Sequence, residues 1–205
     1  MIFSAEIIKK ALSGKLPGAA SHKKMLPPGR KRTFQPEDVK TVKHSSVLLL
    51  LFPDGNELYV CLIKRPAHMK HHAGQIALPG GRIEAGETAT ETALRETYEE
   101  IGIQSESIEI LGSLSEFYVE VSRFQIQPFV GWLDKKPEFR TNQAEVEKII
   151  LFPIDLFKEP FCRKDLLTLS GRLNVPCIQF EGEIIWGATA MILAEFTDVL
   201  NGIFH

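Results

Sequence analysis

The chain has little cysteine, no long apolar run and almost no net charge. Its three cysteines, Cys61, Cys162 and Cys177, are scattered and odd in number. They form no CxxC pair and suggest no disulfide framework, which fits a reducing compartment such as the cytoplasm. Cys61 lies in a strand-like run and is expected to be a small buried hydrophobe. The longest strong apolar run, Val47 to Phe52, is far too short to span a bilayer. The opening MIFSAEIIKKALSG is amphipathic and lacks the apolar core and cleavage site of a secretory signal. A formal charge of −2 gives no reason to expect a nucleic-acid partner, and no membrane partner is expected either. There is no internal repeat and no low-complexity tract.

What remains is a chain of 205 residues, 44% of them hydrophobic, most economically one domain with a sizeable core. A helix is expected near residues 3 to 13, then a Pro-rich linker to about 37. Strand-like runs at 46 to 52 and 58 to 64 flank a Pro53-Asp54-Gly55-Asn56 turn. Further strands are expected near 107 to 115, 124 to 133, 147 to 152, 177 to 180 and 183 to 186, before a closing helix at about 188 to 201. Periodicity alone supports only a mixed α and β domain. Lys23, Lys24, Arg30, Lys31 and Arg32 form one basic cluster, either a solvated loop or a reach toward an anionic part of a ligand.

Residues 81 to 103 read GRIEAGETATETALRETYEEIGI. No Pro or Gly interrupts Thr88 to Ile101, Ala and Leu favour a helix there, and Gly102 is placed to end it. Glu96, Glu99 and Glu100 fall at i, i+3 and i+4, so a helix puts the three carboxylates on one face. Leu94, Thr97, Tyr98 and Ile101 are expected on the opposite side, against a sheet. Like charges at this spacing repel, and two of the three lie where the helix dipole is negative. A hard divalent cation such as Mg2+ or Mn2+, which takes oxygen ligands, removes both penalties.

This stretch resembles the Nudix box, G-x5-E-x7-R-E-U-x-E-E-x-G-U, where U is a bulky aliphatic residue. Gly81, Glu87, Arg95, Glu96, Glu99, Glu100 and Gly102 match, and Thr97 stands where an aliphatic residue is usual. The resemblance implies a Nudix fold, an α/β/α sandwich around a mixed β-sheet, with residues 1–40 as an N-terminal helix and basic, Pro-rich extension and 41–205 as the hydrolase domain. It implies that Glu96, Glu99 and Glu100, with the Gly81 carbonyl, hold Mg2+ or Mn2+. Arg95 would pin an acid of the box, and Glu87 would brace the loop and helix through that network. The implied reaction is hydrolysis of a diphosphate linked to another moiety, which needs no Ser or Cys nucleophile.

The flanks bear on the substrate. Residues 62 to 81, LIKRPAHMKHHAGQIALPGG, partly resemble the segment that precedes the box in coenzyme A pyrophosphatases. Leu62, Arg65, Gly74 and Pro79-Gly80-Gly81 match, whereas Ile63, Pro66, Lys70 and Leu78 depart from it. Arg65, Lys70 and His72 are the candidate substrate contacts. His68, His71 and His72 crowd together without a nearby Cys pair, so they contact phosphates or fill a polar loop rather than close a zinc site. Ser122, Phe124 and Pro128 fit the downstream pattern of the same subfamily, and Arg123 does not. Residues 142 to 154 read NQAEVEKIILFPI. The resemblance implies a general base or late metal ligand in the loop that opens this segment, with Glu145 the first candidate and Glu147 the second.

The resemblance thus implies metal-dependent cleavage of coenzyme A or its derivatives into adenosine 3',5'-bisphosphate and 4'-phosphopantetheine. A hydrolase of another nucleoside diphosphate derivative, such as ADP-ribose or a nucleotide sugar, is the alternative enzyme. A nucleotide sensor that does not cleave is the alternative of another kind, disfavoured because every box acid is present. The assembly state is left open, a homodimer being one option.

Overall fold

A computed structural model describes residues 3–29, 42–69, 72–158, 160–168 and 171–203. Two helices come first, α1 (Ala5–Leu12) and α2 (Ala19–Lys24). Ser4 caps α1 by accepting the Ile7 N–H, and Pro17 and Gly18 lead into α2. The expected Pro-rich linker is therefore interrupted by a short helix, which fits between Pro17 and Pro27. The strands β1 (Lys43–Asp54) and β2 (Glu57–Lys64) form a hairpin whose Gly55, at φ +62°, suits the first position of a two-residue turn. Short strands β3 (Ile76–Ala77) and β4 (Gly80–Arg82) precede α3 (Ala89–Ile101). Then come β5 (Glu109–Ser113), β6 (Phe117–Val119), β7 (Phe124–Trp132) and β8 (Lys148–Pro153). A second hairpin system, β9 (Cys162–Thr168), β10 (Gly171–Phe180) and β11 (Glu183–Trp186), leads into α4 (Gly187–Gly202).

Among the described residues, β1 to β8 form one sheet with the central order β3-β2-β1-β7-β5, and β9 to β11 form another. The large sheet is mixed because β1 and β7 run parallel, from Lys43 opposite Phe124 to Leu51 opposite Trp132, while its other pairs are antiparallel. β1 is buried on both faces, which is why it reads as an unbroken apolar run rather than an alternation. Leu48, Leu50 and Phe52 face a core with Cys61, Ile63, Ala93 and Ile101, beneath α3. Leu49 and Leu51 face the opposite core, with Ile8 and Leu12 of α1 and Met191 to Leu200 of α4. Helices thus cover both faces of the mixed sheet, the α/β/α sandwich expected. The apolar run of the closing helix is core: Met191, Ile192, Leu193, Phe196, Val199 and Leu200 are all buried.

The start and end of the described chain are joined by polar contacts. His22 and Glu195, both fully buried, meet at 2.7 Å (Nε2 to Oε2). Glu195 also accepts the N–H groups of Gly18 at 3.1 Å and Ser115 at 3.2 Å. Ser21 donates to Asp198, which Lys24 reaches at 2.8 Å. Of the basic cluster, Arg30, Lys31 and Arg32 lie outside the described residues.

Burial raises the Glu195 carboxyl, but the bonds from His22 and Ser115 outweigh it and hold the group below its ordinary value. Glu195→Ala strips three donors of a buried acceptor and is expected to cost about 3–5 kcal/mol in urea unfolding at neutral pH. A carboxyl depressed in the folded state adds stability that is complete above its unfolded pKa and is lost as pH falls through the folded one. The gap between parent and variant should therefore hold at neutral pH and narrow as pH drops below the ordinary carboxyl value of 4.5.

Candidate active site

The acidic helix is nucleated locally. Thr88 accepts the Glu91 N–H at 3.2 Å while Glu91 accepts the Thr88 N–H at 2.7 Å, a reciprocal capping box. Gly102 closes α3 in the left-handed conformation, at φ +75°. The faces of α3 differ from the expected division. Thr97 and Ile101 pack inward, but Tyr98 is half exposed and Glu100 is buried. Glu100 follows the buried Ala93 by seven residues and the buried Thr97 by three, so an acid there shares the sheet-facing side. Thr97 fits its apolar setting by donating its hydroxyl to the Ala93 carbonyl at 2.7 Å.

Glu100 enters the protein beside the loop that precedes α3. Its Oε2 accepts the Gly80 N–H at 3.0 Å, and its Oε1 lies 3.5 Å from Arg65 Nη1. Gly80 sits at φ +151°, and any Cβ there would collide with the Ser46 carbonyl and Val47 of β1. A Cβ on Gly81 would overlap the Glu96 carboxylate. The two glycines therefore let the loop and the helix acids approach within contact distance.

Glu145 arrives from the turn before β8. One carboxylate oxygen from each of Glu96, Glu100 and Glu145 lies within 4.8 Å of the others. Glu147, two residues on, instead turns to Lys64 Nζ at 3.0 Å. Of the two candidate acids, the structure brings Glu145 to the cluster.

Arg95 organises the rim. It donates to both oxygens of Glu87, Nε at 2.6 Å and Nη2 at 3.1 Å, and its Nη1 reaches Glu96 at 2.9 Å and Glu99 at 3.1 Å. The Arg95 contact leads the causes that hold the Glu87 carboxyl down to about 2, with Thr92 and the Glu84 backbone adding bonds. Glu99 is about half exposed and tethered to Arg95, outside the three-acid cluster. His72, at φ +56°, shares a 2.9 Å hydrogen bond with Gln75 in the exposed loop after Arg65. Lys70 and His71 lie outside the described residues.

The electrostatics are those of a site short of positive charge. Burial pushes the Glu96 carboxyl above its ordinary value. Burial likewise pushes Glu100 up to about 8, against the opposing pull of the Gly80 N–H and Arg65. Three convergent carboxylates, two of them resisting ionisation because they are buried, form an all-oxygen donor set suited to a hard divalent cation. The residues present therefore fit such an ion. Sequence reasoning missed the Gly80 N–H and also Asn142, whose amide reaches Glu145 Oε1 at 3.2 Å. Asn142 opens the 142 to 154 segment three residues before the acid, a spacing that suits a turn bond.

A family model described as "NUDIX domain" matches residues 42–167. The chain is 42% identical over 114 residues to "Nudix hydrolase 3" of Caenorhabditis elegans, covering 54% of this chain and 47% of that protein. It is 30% identical over 172 residues to an uncharacterized Nudix hydrolase of Yersinia enterocolitica, covering 82% of this chain and 87% of the relative. It is 34% identical over 130 residues to a peroxisomal coenzyme A diphosphatase of Mus musculus, covering 62% of this chain and 54% of that protein. The match thus spans about half the length of the nematode and mouse relatives. Among solved structures, a Nudix hydrolase from M. Smegmatis superposes with a TM-score of 0.54 at 16% identity, covering 87% of this chain and 92% of the other.

A carboxyl raised by folding binds its proton more tightly in the folded state, so its contribution favours the fold at low pH and is lost as pH rises toward the folded value. In the presence of EDTA, the melting temperature should fall between the ordinary 4.5 and about 8 as Glu100 ionises. Glu100→Gln should flatten that fall, and Mg2+ added at pH 8 should raise the parent's melting temperature more than the variant's. Parallel pH profiles for the two proteins in EDTA would refute the account.

Proposed function

The chain belongs to the NUDIX domain family and is a Nudix hydrolase; on that premise we propose that it cleaves the diphosphate of coenzyme A or its derivatives. The products would be adenosine 3',5'-bisphosphate and 4'-phosphopantetheine. The observation that carries the hydrolytic reading is the convergence of Glu96, Glu100 and Glu145 beside Gly81. The coenzyme A reading is supported by the 62 to 81 segment and by likeness to the mouse relative named as a peroxisomal coenzyme A diphosphatase.

Glu96, Glu100 and Glu145, with the Gly81 carbonyl and with Glu99 at the rim, are the residues that would hold Mg2+ or Mn2+. Such an ion supplies polarisation of a phosphoryl oxygen, activation of water and neutralisation of the leaving phosphate. Glu145 accepts the proton of the attacking water as the water oxygen bonds to phosphorus and the bridging P–O bond breaks. Arg95 and Glu87 keep Glu96 and Glu99 oriented rather than touching substrate. Arg65, whose guanidinium borders Glu100, meets a substrate phosphate, and Lys70 and His72 are proposed to meet others. The three free cysteines support a reducing location, which we take to be the cytoplasm. No described helix is long and apolar enough to cross a membrane.

The test is incubation of purified protein with Mg2+ or Mn2+ and a panel of coenzyme A, an acyl derivative, dephospho-coenzyme A, ADP-ribose and a nucleotide sugar, with products identified by mass. Coenzyme A or its acyl form should be cleaved fastest. Cleavage of ADP-ribose alone would overturn the substrate and leave the hydrolase. Glu145→Gln is expected to lower kcat by about 10^2–10^4-fold, the usual contribution of a general base. Arg65→Ala should lower kcat/KM for coenzyme A by about 10- to 150-fold, the cost of one charge-assisted contact, and should lower it less for dephospho-coenzyme A. Equal losses on the two substrates would show that Arg65 does not sense the additional ribose phosphate.

A further inference from the structure

Of the three acids in the carboxylate cluster, Glu145 alone does not come from α3. It must be aimed from the turn at residues 142–146, and a turn side chain has several rotamers open to it. The turn is held at both ends. On the side of β8, the Glu147 N–H donates to the Lys64 carbonyl at 2.8 Å and Lys64 Nζ holds the Glu147 carboxylate. Lys64 and Lys148 face one another across β2 and β8, a like-charge pair that would separate the strands. Glu183 of β11 bridges both, its Oε1 lying 3.1 Å from Lys64 Nζ and 3.0 Å from Lys148 Nζ. The buried Val146 side chain adds an apolar anchor. These contacts fix the main chain just after Glu145 and leave the aim of its carboxylate to other groups.

On the side of α3 stands Asn142. Its main-chain N–H donates to the Glu100 carbonyl at 3.0 Å, so the turn is tied to the end of α3 at the residue that carries another acid of the cluster. Its carbonyl accepts the N–H groups of Glu145 at 3.0 Å and Val146 at 2.8 Å. Its side chain is used at both ends: Oδ1 accepts the Ala144 N–H at 3.1 Å and shapes the turn, while Nδ2 donates to Glu145 Oε1 at 3.2 Å. Oδ1 is thus committed to the backbone, which directs the amide hydrogens at the carboxylate.

We propose that Asn142 is a positioning residue, whose side-chain amide aims the Glu145 carboxylate into the cluster while its main chain sets the distance of that carboxylate from Glu100. The proposal rests on the hydrolytic role given to Glu145 above. An amide donor is suited to the task. It orients a carboxylate without placing a second positive charge beside a cation site, as Lys or Arg would, and it engages only one of the two oxygens of Glu145.

The test is a double-mutant cycle on the full chain, with Asn142→Ala, Glu145→Gln and the pair, assayed on coenzyme A with Mg2+. Asn142→Ala should lower kcat by about 10- to 100-fold, the usual loss when a carboxylate's orienting partner is removed, with KM nearly unchanged. In the Glu145→Gln background the same change should cost less than about 2-fold, because residues acting through one another are not additive. Asn142→Asp keeps the acceptor for Ala144 but sets a like charge against Glu145. It should lose at least as much activity as Asn142→Ala while melting within a few degrees of the parent. Undiminished loss in the Glu145→Gln background, a rise in KM alone, or full activity in Asn142→Asp would each overturn the proposal. If Glu145→Gln is itself silent, the role given to Glu145 falls and the proposal with it. If the parent does not cleave coenzyme A, only the substrate assignment falls. The same four proteins are then compared by titration with Mn2+ alone, where a loss from Asn142→Ala that vanishes in the Glu145→Gln background supports the proposal and an equal loss in both overturns it.

Discussion

Carboxylates held within 4.8 Å of one another repel, and the active end of this molecule is built to contain that repulsion. Arg95 absorbs part of it by gripping Glu87 with two nitrogens while sharing a third with Glu96 and Glu99. The Gly80 N–H meets Glu100 inside the protein, and Arg65 stands at the limit of hydrogen-bonding distance from the same carboxylate. Burial nevertheless raises the Glu96 and Glu100 carboxyls against these contacts, with the neighbouring acids adding to the rise. A divalent cation bound among the three acids would relieve that repulsion. The glycine pair is part of this arrangement, since any side chain at Gly80 or Gly81 would hold the loop away from the acids.

The sheet separates this chemistry from much of the fold's support. Alternate residues of β1 point to opposite cores, so α3 with its acids lies on one face and α1 with α4 on the other. The buried His22–Glu195 pair belongs to the second face, along with the helices at the two ends of the described chain. Substitutions there are expected to act on stability, whereas those around Arg95 and Asn142 act on geometry.

Much of this is legible in the sequence, but unevenly. Thr88, the uninterrupted run to Ile101 and Gly102 specify α3 through neighbouring residues, so its limits follow closely from local pattern. The spacing of Glu96 and Glu100 likewise follows from helical geometry. The assignment of faces does not: Tyr98 is half exposed and Glu100 is buried, against the rule that a charged residue turns away from the sheet. The short strands β3, β4 and β6, all of β9 and the first part of β10 escape a local reading, since their pairing is decided by distant partners. Glu145 stands out by its place before β8. The contacts of Asn142, Lys64 and Glu183 do not, because they depend on how β2, β8 and β11 are brought together.

The stitching of α2 to α4 has a consequence for synthesis on the ribosome. Ser21 and Asp198 are 177 residues apart in sequence, and His22 and Glu195 are 173 apart. At about 5–20 residues per second, translation delivers the partner of His22 on the order of ten to thirty seconds after the histidine itself. Through that interval the nascent chain exposes Ile8, Leu12 and the face of β1 that α4 will cover. That face is therefore covered only after α4 has left the exit tunnel, so the helices that come first in the described chain wait for the one that comes last to bury their apolar side.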